Sequence, residues 1–292
     1  MKIFVVGASG QAAKALVERG PTFSAEVTAA GRPQLDLADR ASLFAAVRRA
    51  APDIVVDVGA YTAVDQAETE EAAAHALNAE GPGFLAEATV AVEAPLIHLS
   101  TDYVFDGAKG APYVEDDAPS PLGVYGRTKL EGERAVMANN PRNLILRTAW
   151  VYSPFGRNFL KTMLRLAETR DVVNVVADQI GAPTYALDIA DGILALAPKL
   201  LEVDAPAGVR HMTSAGEASW ADFAEVVFAT SRALGGPHAI VNRIAKADYP
   251  TPAARPANSR LDCSLLKKDF GVALPDWRVG VADCVKRVLK AS

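Results

Sequence analysis

Ile3-Phe4-Val5-Val6 runs directly into Gly7-Ala8-Ser9-Gly10, and Gln11 to Arg19 follows with the spacing of a helix. No other stretch constrains the fold as much. A short apolar run without alternation suits a strand covered on both faces, and such strands belong to parallel sheets with helical crossovers. The pattern then recurs. Ala25 to Ala30 reads as a second strand, and Asp39 to Ala50 as an amphipathic helix with Asp39 as its N-cap and Leu43, Phe44 and Val47 on one face. Asp53-Ile54-Val55-Val56-Asp57-Val58 is a third strand, apolar in its middle. Val64 to about Val92 predicts a long helix interrupted near Gly81-Pro82-Gly83. Leu96-Ile97-His98-Leu99 is a fourth strand, Val124 to Asn139 a helix, and Asn143 to Leu146 a fifth strand. The expected fold class is α/β: a doubly wound, Rossmann-like parallel sheet with helices on both faces.

The glycine turn has a chemical meaning where it stands. Between a first strand and a first helix, Gly7 and Gly10 let backbone approach a pyrophosphate, and the helix start offers free N–H groups and a favourable dipole. The spacing is G-x-x-G-x-x-A, with small Ala13 in the third glycine's place. The second strand ends at Gly31-Arg32, where NAD sites often carry a carboxylate for the ribose 2′-OH. Arg32 would pair instead with a 2′-phosphate, which favours NADPH and keeps NADH as the alternative. Asp36-Leu37 follows as a candidate edge of the adenine pocket, with Asp36 equally suited to a turn.

Beyond Trp150 the alternation loosens. Helical stretches (Phe159 to Ala167, Tyr185 to Ala197, Trp220 to Ala233, Val279 to Leu289) are separated by loops rich in proline or glycine, such as Gly181-Ala182-Pro183 and Pro250 to Pro256. Residues 1–150 are therefore expected to form a dinucleotide-binding domain carrying the catalytic residues. Residues 151–292 are expected to be mainly a smaller, C-terminal substrate-binding lobe, interleaved with late elements of the main sheet.

Composition removes other classes. A chain of 292 residues, 50% hydrophobic and 22% charged, can bury a large core and is not disordered. A net charge of −5 without a basic run argues against nucleic acid. No stretch reaches the roughly 18 to 20 apolar residues of a membrane helix, and the N-terminal run is shorter than a signal peptide's core. Cys263 and Cys284 and the scattered His75, His98, His211 and His238 show neither a disulfide framework nor metal-ligand spacing, so no metal site is expected. The expected location is the cytoplasm.

Tyr125 and Lys129 lie four apart at the start of a helix, so their side chains share a face. A tyrosine hydroxyl can give a proton to an alkoxide forming under hydride attack, and a nearby ammonium favours phenolate. At ~4 Å and an effective dielectric near 20, that charge is worth ~4 kcal/mol, an upper bound of roughly three pKa units. Ser100-Thr101-Asp102 closes the fourth strand at the sheet's carboxyl edge, where open α/β sheets bind ligands. Thr101 can donate a second hydrogen bond to the same oxygen.

With these segments the chain resembles the dTDP-4-dehydrorhamnose reductase family of extended short-chain dehydrogenases/reductases. The matching stretches are Gly7 to Gln11, Ala60-Tyr61-Thr62-Ala63-Val64-Asp65, Ser100-Thr101-Asp102-Tyr103-Val104-Phe105 and Tyr125-Gly126-Arg127-Thr128-Lys129-Leu130. They continue through Arg147-Thr148-Ala149-Trp150-Val151-Tyr152, Asp178-Gln179-Ile180-Gly181-Ala182-Pro183-Thr184 and Tyr249 to Pro256. The resemblance implies a catalytic set of Thr101, Tyr125 and Lys129 that reduces the C4 keto group of a dTDP-4-keto-6-deoxy sugar. It implies that Gly7, Ser9, Gly10, Gln11, Arg32, Asp36, Leu37, Ala60 and Tyr61 hold the dinucleotide with Tyr125 and Lys129. Thr62, Val64, Ser100, Thr101, Tyr103, Trp150 and Arg255 would meet the substrate, a nucleotide sugar. Arg255 and Arg260 suit its diphosphate, because a guanidinium binds such oxygens in pairs.

Some bacterial members of the family bridge subunits through Mg²⁺ held by glutamates, one in the first helix. The corresponding Ala15 has no oxygen ligand, which argues against Mg²⁺ here and leaves both a monomer and a homodimer open. Two other activities fit the same motifs. One is a non-catalytic NADP-binding subunit similar to the regulatory subunit of methionine adenosyltransferase; the other is a nucleotide-sugar epimerase or dehydratase.

Overall fold

The computed structural model of the chain describes residues 1–291. Its centre is a six-stranded sheet in which every pair runs parallel. The strands are β1 (Lys2–Val6), β2 (Glu26–Ala30), β3 (Ile54–Asp57), β4 (Leu96–Thr101), β5 (Asn143–Thr148) and, from the second half of the chain, Gly208–His211. Across the sheet the order is Gly208–His211, β5, β4, β3, β1, β2. From β1 the chain steps to β2 on one side, then crosses back to β3 on the other. The carboxyl ends of β1 and β3 therefore flank a topological switch point, the crevice where such sheets take ligands.

The uniform apolar run of β1 has a direct structural reason. Ile3 and Val5 pack with Leu16, Ile54, Val56 and Ile97 in one buried cluster, while Phe4 and Val6 pack with Leu43, Val47, Val55 and Leu85 in another. Successive side chains point to opposite faces, and both faces are covered by helices. Asp39 caps the helix Arg40–Ala50, its carboxylate accepting from the N–H groups of Ala41 at 2.9 Å and Ser42 at 3.3 Å.

The expected long helix from Val64 to Val92 is divided differently from the reading above. It forms short helices Val64–Ala67 and Glu71–His75, then a π-helical turn Ala76–Glu80 leading straight into Gly81–Val90. Pro82 stands just after the junction at Gly81 where the π-helical turn passes into Gly81–Val90, near the expected interruption, and the helix runs on through it. The wide turn directs Asn78 inward. Its side-chain oxygen accepts from Tyr61 N at 2.8 Å, and its amide donates to Tyr61 O at 3.1 Å and Thr128 Oγ1 at 3.2 Å.

Helices Phe159–Ala167, Ala186–Leu200, Trp220–Ala233 and Trp277–Ala291 are the long elements of the second half. Arg19, ending the helix Gln11–Arg19, reaches Asp191 at 2.5 and 2.8 Å and ties the two halves together. Among the described residues no helix is long and apolar enough to cross a membrane.

The strand Gly208–His211 brings a buried histidine beside β5. His211 Nδ1–H donates to Tyr113 O at 3.1 Å, while burial and the facing Arg147 charge pull its pKa down to about 3. An unfolded histidine takes a proton below about 6.5, so this contribution to stability is present above that pH and is lost as pH falls towards 3. Urea unfolding is expected to give a stability about 2 kcal/mol lower at pH 5 than at pH 7 from this residue. His211→Gln should lack that share; identical pH dependence in both proteins would rule the residue out.

Candidate active site

The glycine turn forms a cradle that only bare backbone fits. Gly7 has φ +110°, and a Cβ on it would lie 2.7 Å from Gly59 N and 2.8 Å from Gly59 Cα. Its N–H and that of Ala8 both reach Ala30 O, at 2.9 and 3.2 Å, fixing the turn against β2. Gly10 is the extended N-cap of the helix Gln11–Arg19, and no side chain caps that end. The first-turn N–H groups are thereby left for an anion. The cleft above them is about 490 Å³. Its walls are Gly7, Ser9 and Gly10, then Gly31, Arg32 and Leu37, then Gly59, Ala60 and Thr62.

Arg32 stands exposed at the rim, 3.9 Å from Asp36. Asp36 also accepts from Ala38 N at 3.0 Å, the turn geometry that its sequence position allowed. Gln11 points away from the cradle. Its Oε1 accepts from Ser153 Oγ at 2.7 Å and Asn158 Nδ2 at 2.9 Å, so it fastens the turn to the segment after Trp150. Tyr61 is anchored through Asn78 and donates its hydroxyl proton to Glu70 at 2.7 Å.

Tyr125 lies in the first turn of the helix Val124–Asn139. Gly126 lets that turn lie on the backbone of Tyr103, since a Cβ there would be 2.1 Å from Tyr103 O. The two tyrosine rings meet edge to face, with centroids 5.4 Å apart at 78°. The Thr101 hydroxyl lies close enough to the Tyr125 phenol to act on its proton affinity. Thr101 Oγ1 donates its one proton to Asp102 Oδ1 at 3.1 Å and accepts from Tyr103 N at 3.2 Å. Burial pushes Tyr125 up to about 12, and the neighbouring Thr101 hydroxyl opposes that rise.

Lys129 is held by partners on β4. Its Nζ donates to His98 Nε2 at 3.0 Å and to Leu99 O at 2.8 Å, at the backbone of β4. Burial pulls Lys129 down to about 8, while the charges of Asp57 and Glu133 act upward. The shared helix face is real; hydrogen bonds fix the ammonium at His98 and the β4 backbone, and Thr101 opposes the rise of the phenol.

The residues read as substrate contacts are distributed unevenly. Tyr103 is half-buried close to Arg255, and Arg255 Nη2 pairs with Asp65 at 2.8 Å. Burial first, then the Asp102 charge, raises the Tyr103 hydroxyl far above its ordinary range, with Arg255 acting against them. Ser100 turns inward, donating to Glu133 Oε1 at 2.5 Å. Trp150 adopts φ +49° and stacks on Trp220, centroids 3.6 Å apart at 9°. Val64 opens a helical turn beside Asp65, and Thr62 is exposed. Arg260 sits in a separate cluster, bound to Glu217 at 3.0 Å, Asn258 at 2.9 Å and Gly110 O at 2.8 Å.

Sequence reasoning missed Asp57, Asn78, Glu133 and Trp220, and it treated His98 as one of four scattered histidines. A signal was present for two of them. Asp57 and His98 each interrupt an apolar strand run, and a polar side chain buried on both faces needs a partner. Among the described residues no three His, Cys, Asp or Glu side chains gather as a metal ion would require, and Ala15 is wholly buried.

A sequence profile described as the RmlD substrate binding domain matches residues 1–290. The chain belongs to the RmlD family. Among its RmlD relatives, the dTDP-4-dehydrorhamnose reductase of Sinorhizobium fredii is 50% identical over 279 residues, covering 95% of this chain and 94% of that one. The crystal structure of a dTDP-4-dehydrorhamnose reductase from Clostridium acetobutylicum superposes with a TM-score of 0.92 at 34% identity, over 99% of this chain and 100% of that chain. That of the Bacillus anthracis dTDP-4-dehydrorhamnose reductase, in complex with NADP, gives 0.90 at 33% identity, over 97% and 98%. The RmlD likeness therefore spans the glycine cradle, the Tyr125 helix and the loops of the second half together.

Proposed function

We propose that this RmlD-family protein is a cytoplasmic NADPH-dependent reductase that converts the C4 keto group of dTDP-4-dehydro-6-deoxy-L-mannose to the hydroxyl of dTDP-L-rhamnose. The observation that carries the reading is the meeting of Thr101, at the carboxyl end of β4, with Tyr125 of the following helix, in a sheet whose β1 ends in a turn where Gly7 admits no side chain. Relatives named for the same reaction and a neighbour complexed with NADP support it.

The residues present suit a dinucleotide. Backbone at Gly7 and Gly10 and the uncapped helix end would meet its diphosphate, and Arg32 a 2′-phosphate. Bound there, the reduced nicotinamide supplies the hydride. Tyr125 keeps its proton at neutral pH, because burial holds its pKa near 12. It releases that proton only to a stronger base, and an alkoxide forming at C4 is one. The hydroxyl of Thr101 stabilises charge on the same oxygen, and the Lys129 ammonium adds positive charge one helical turn away. In this reading residues 1–150 bind the dinucleotide, and residues 151–292 supply most of the sugar-nucleotide lobe. Trp150, Tyr103 and Arg255 face the substrate there, Arg255 once it releases Asp65.

The test is turnover of a panel of dTDP- and GDP-linked 4-keto-6-deoxy sugars with NADPH and NADH. Stoichiometric NADPH oxidation with the dTDP keto sugar is expected. Tight cofactor binding without any turnover would favour a non-catalytic subunit, and conversion without net oxidation an epimerase or dehydratase. Arg32→Ala should raise the KM for NADPH about 10- to 100-fold, the worth of one or two charge-assisted hydrogen bonds, and leave that for NADH alone. An unchanged ratio would place the 2′-phosphate elsewhere.

A further inference from the structure

The hydrogen bonds of Lys129 continue beyond the site described above. Asp57 ends β3, His98 lies within β4, and Lys129 belongs to the helix Val124–Asn139; none is more than 1% exposed. Asp57 Oδ2 lies 2.8 Å from His98 Nδ1, and His98 Nε2 lies 3.0 Å from Lys129 Nζ. The other oxygen, Asp57 Oδ1, accepts from Gly59 N at 3.1 Å. Gly59 is the residue whose backbone closes against Gly7.

Donor and acceptor counting fixes the protons. An ammonium can only donate, so His98 Nε2 accepts, and the single imidazole proton sits on Nδ1 and is donated to Asp57. The buried row is thus carboxylate, neutral imidazole, ammonium. Glu133, from the same helix as Lys129, is the other charge acting on the pair; it is neutralised by Arg147 of β5, at 2.6 and 2.9 Å. A buried histidine–aspartate pair alone would be ordinary core satisfaction. This one ends on the lysine of the Tyr-x-x-x-Lys pair at one end and on the dinucleotide cradle at the other.

We propose that Asp57 and His98 are positioning residues for the reduction: they fix the Lys129 ammonium one helical turn from Tyr125 and couple its position to the backbone that cradles the dinucleotide. The role rests on the reductase reading, in which Tyr125 gives the proton and the charge of Lys129 assists. Burial favours neutral Lys129, and Asp57 and Glu133 are the charges opposing it. Removing the Asp57 charge leaves Glu133 alone, so Lys129 sheds its proton at lower pH.

The test is the pH profile of kcat, with NADPH and the dTDP keto sugar, for wild type, Asp57→Asn, His98→Gln and His98→Leu. Asp57→Asn is expected to lower kcat about 10- to 100-fold, the cost of misplacing a catalytic group by about 1 Å, and to move the alkaline limb to lower pH. The dissociation constant for NADPH should stay near that of wild type. His98→Gln keeps an acceptor for Lys129 and should retain clearly more activity than His98→Leu. Loss of kcat with an unmoved alkaline limb, or equal loss in Gln and Leu, would make the row structural and overturn the proposal. Should the variants not fold, ¹⁵N shifts of the His98 ring in labelled wild-type protein decide. The neutral Nδ1–H tautomer is expected at neutral pH, since burial and the Lys129 charge hold the ring below its ordinary pKa, and an imidazolium or an Nε2–H tautomer overturns the assignment. A wild-type protein without turnover sinks the reductase reading itself, whereas an active wild type with unaffected variants sinks only the positioning role.

Discussion

Tyr125→Phe is expected to cost about 10²- to 10⁴-fold in kcat, the range for removal of a general acid, while NADPH binding stays close to wild type. The substitution removes one oxygen and little else. A phenylalanine ring keeps the edge-to-face contact with Tyr103 and lies on the same Gly126-dependent turn. Thr101 keeps Asp102 Oδ1 and Tyr103 N as partners, so no buried hydroxyl is stranded. The stability change should therefore be small, within about 1 kcal/mol. The cradle at Gly7 and Gly59 belongs to other strands and is untouched. Single-turnover NADPH oxidation beside a fluorescence titration of NADPH separates the two effects. An unchanged rate would deny Tyr125 its role as acid; weakened NADPH binding in step with the rate would make it a cofactor contact.

How much of this was legible in the chain depends on how local the cause is. The uniform apolar run of β1 and the glycines behind it announce a strand covered on both sides and a turn at its end, and both are present. Asp39 signals its own helix because capping involves residues two and three positions on. The strand Gly208–His211 gives no such sign. It is four residues long, mostly half-buried, and becomes a strand only by pairing with β5. The π-helical turn at Ala76–Glu80 answers to Asn78 reaching Tyr61 and Thr128, 17 and 50 residues away.

The site divides in the same way. A four-residue spacing puts Tyr125 and Lys129 on one face, but it does not say where a four-carbon stem ends. That endpoint is set by His98, which is held in turn by Asp57, 41 residues earlier. Arg255 and Arg260 are chemically equal candidates for a diphosphate. The fold distinguishes them, giving one to Asp65 near Tyr103 and the other to Glu217 and Asn258. Gln11, next to the glycine turn in sequence, turns to Ser153 and Asn158 because the second half of the chain packs there.

Glu133→Ala is expected to destabilise the protein by about 3 to 5 kcal/mol, the cost of breaking a buried ion pair from one side. Glu133 is fully buried and accepts both Nε and Nη2 of Arg147, at 2.9 and 2.6 Å, together with the Ser100 hydroxyl. Its loss leaves a guanidinium over the Phe105 ring with no counter-charge, since Arg147 Nη1 already lacks a partner. Arg147→Met strands the carboxylate instead and should cost a similar amount. Replacing both, as Glu133→Leu with Arg147→Met, removes the two desolvated charges together and should return most of the stability. Urea unfolding of the single and double variants measures the coupling, and single losses below about 1 kcal/mol would mean that the pair is effectively solvated. Activity should not return with stability in the double variant. Ser100 precedes Thr101 at the end of β4 and has no acceptor once Glu133 is gone, and Lys129 loses one of the two charges that keep it protonated. A stable double variant with full kcat and a wild-type alkaline limb would show that this buried pair holds the fold and nothing more; a stable, slow one would tie the core of the sheet to the chemistry at its edge.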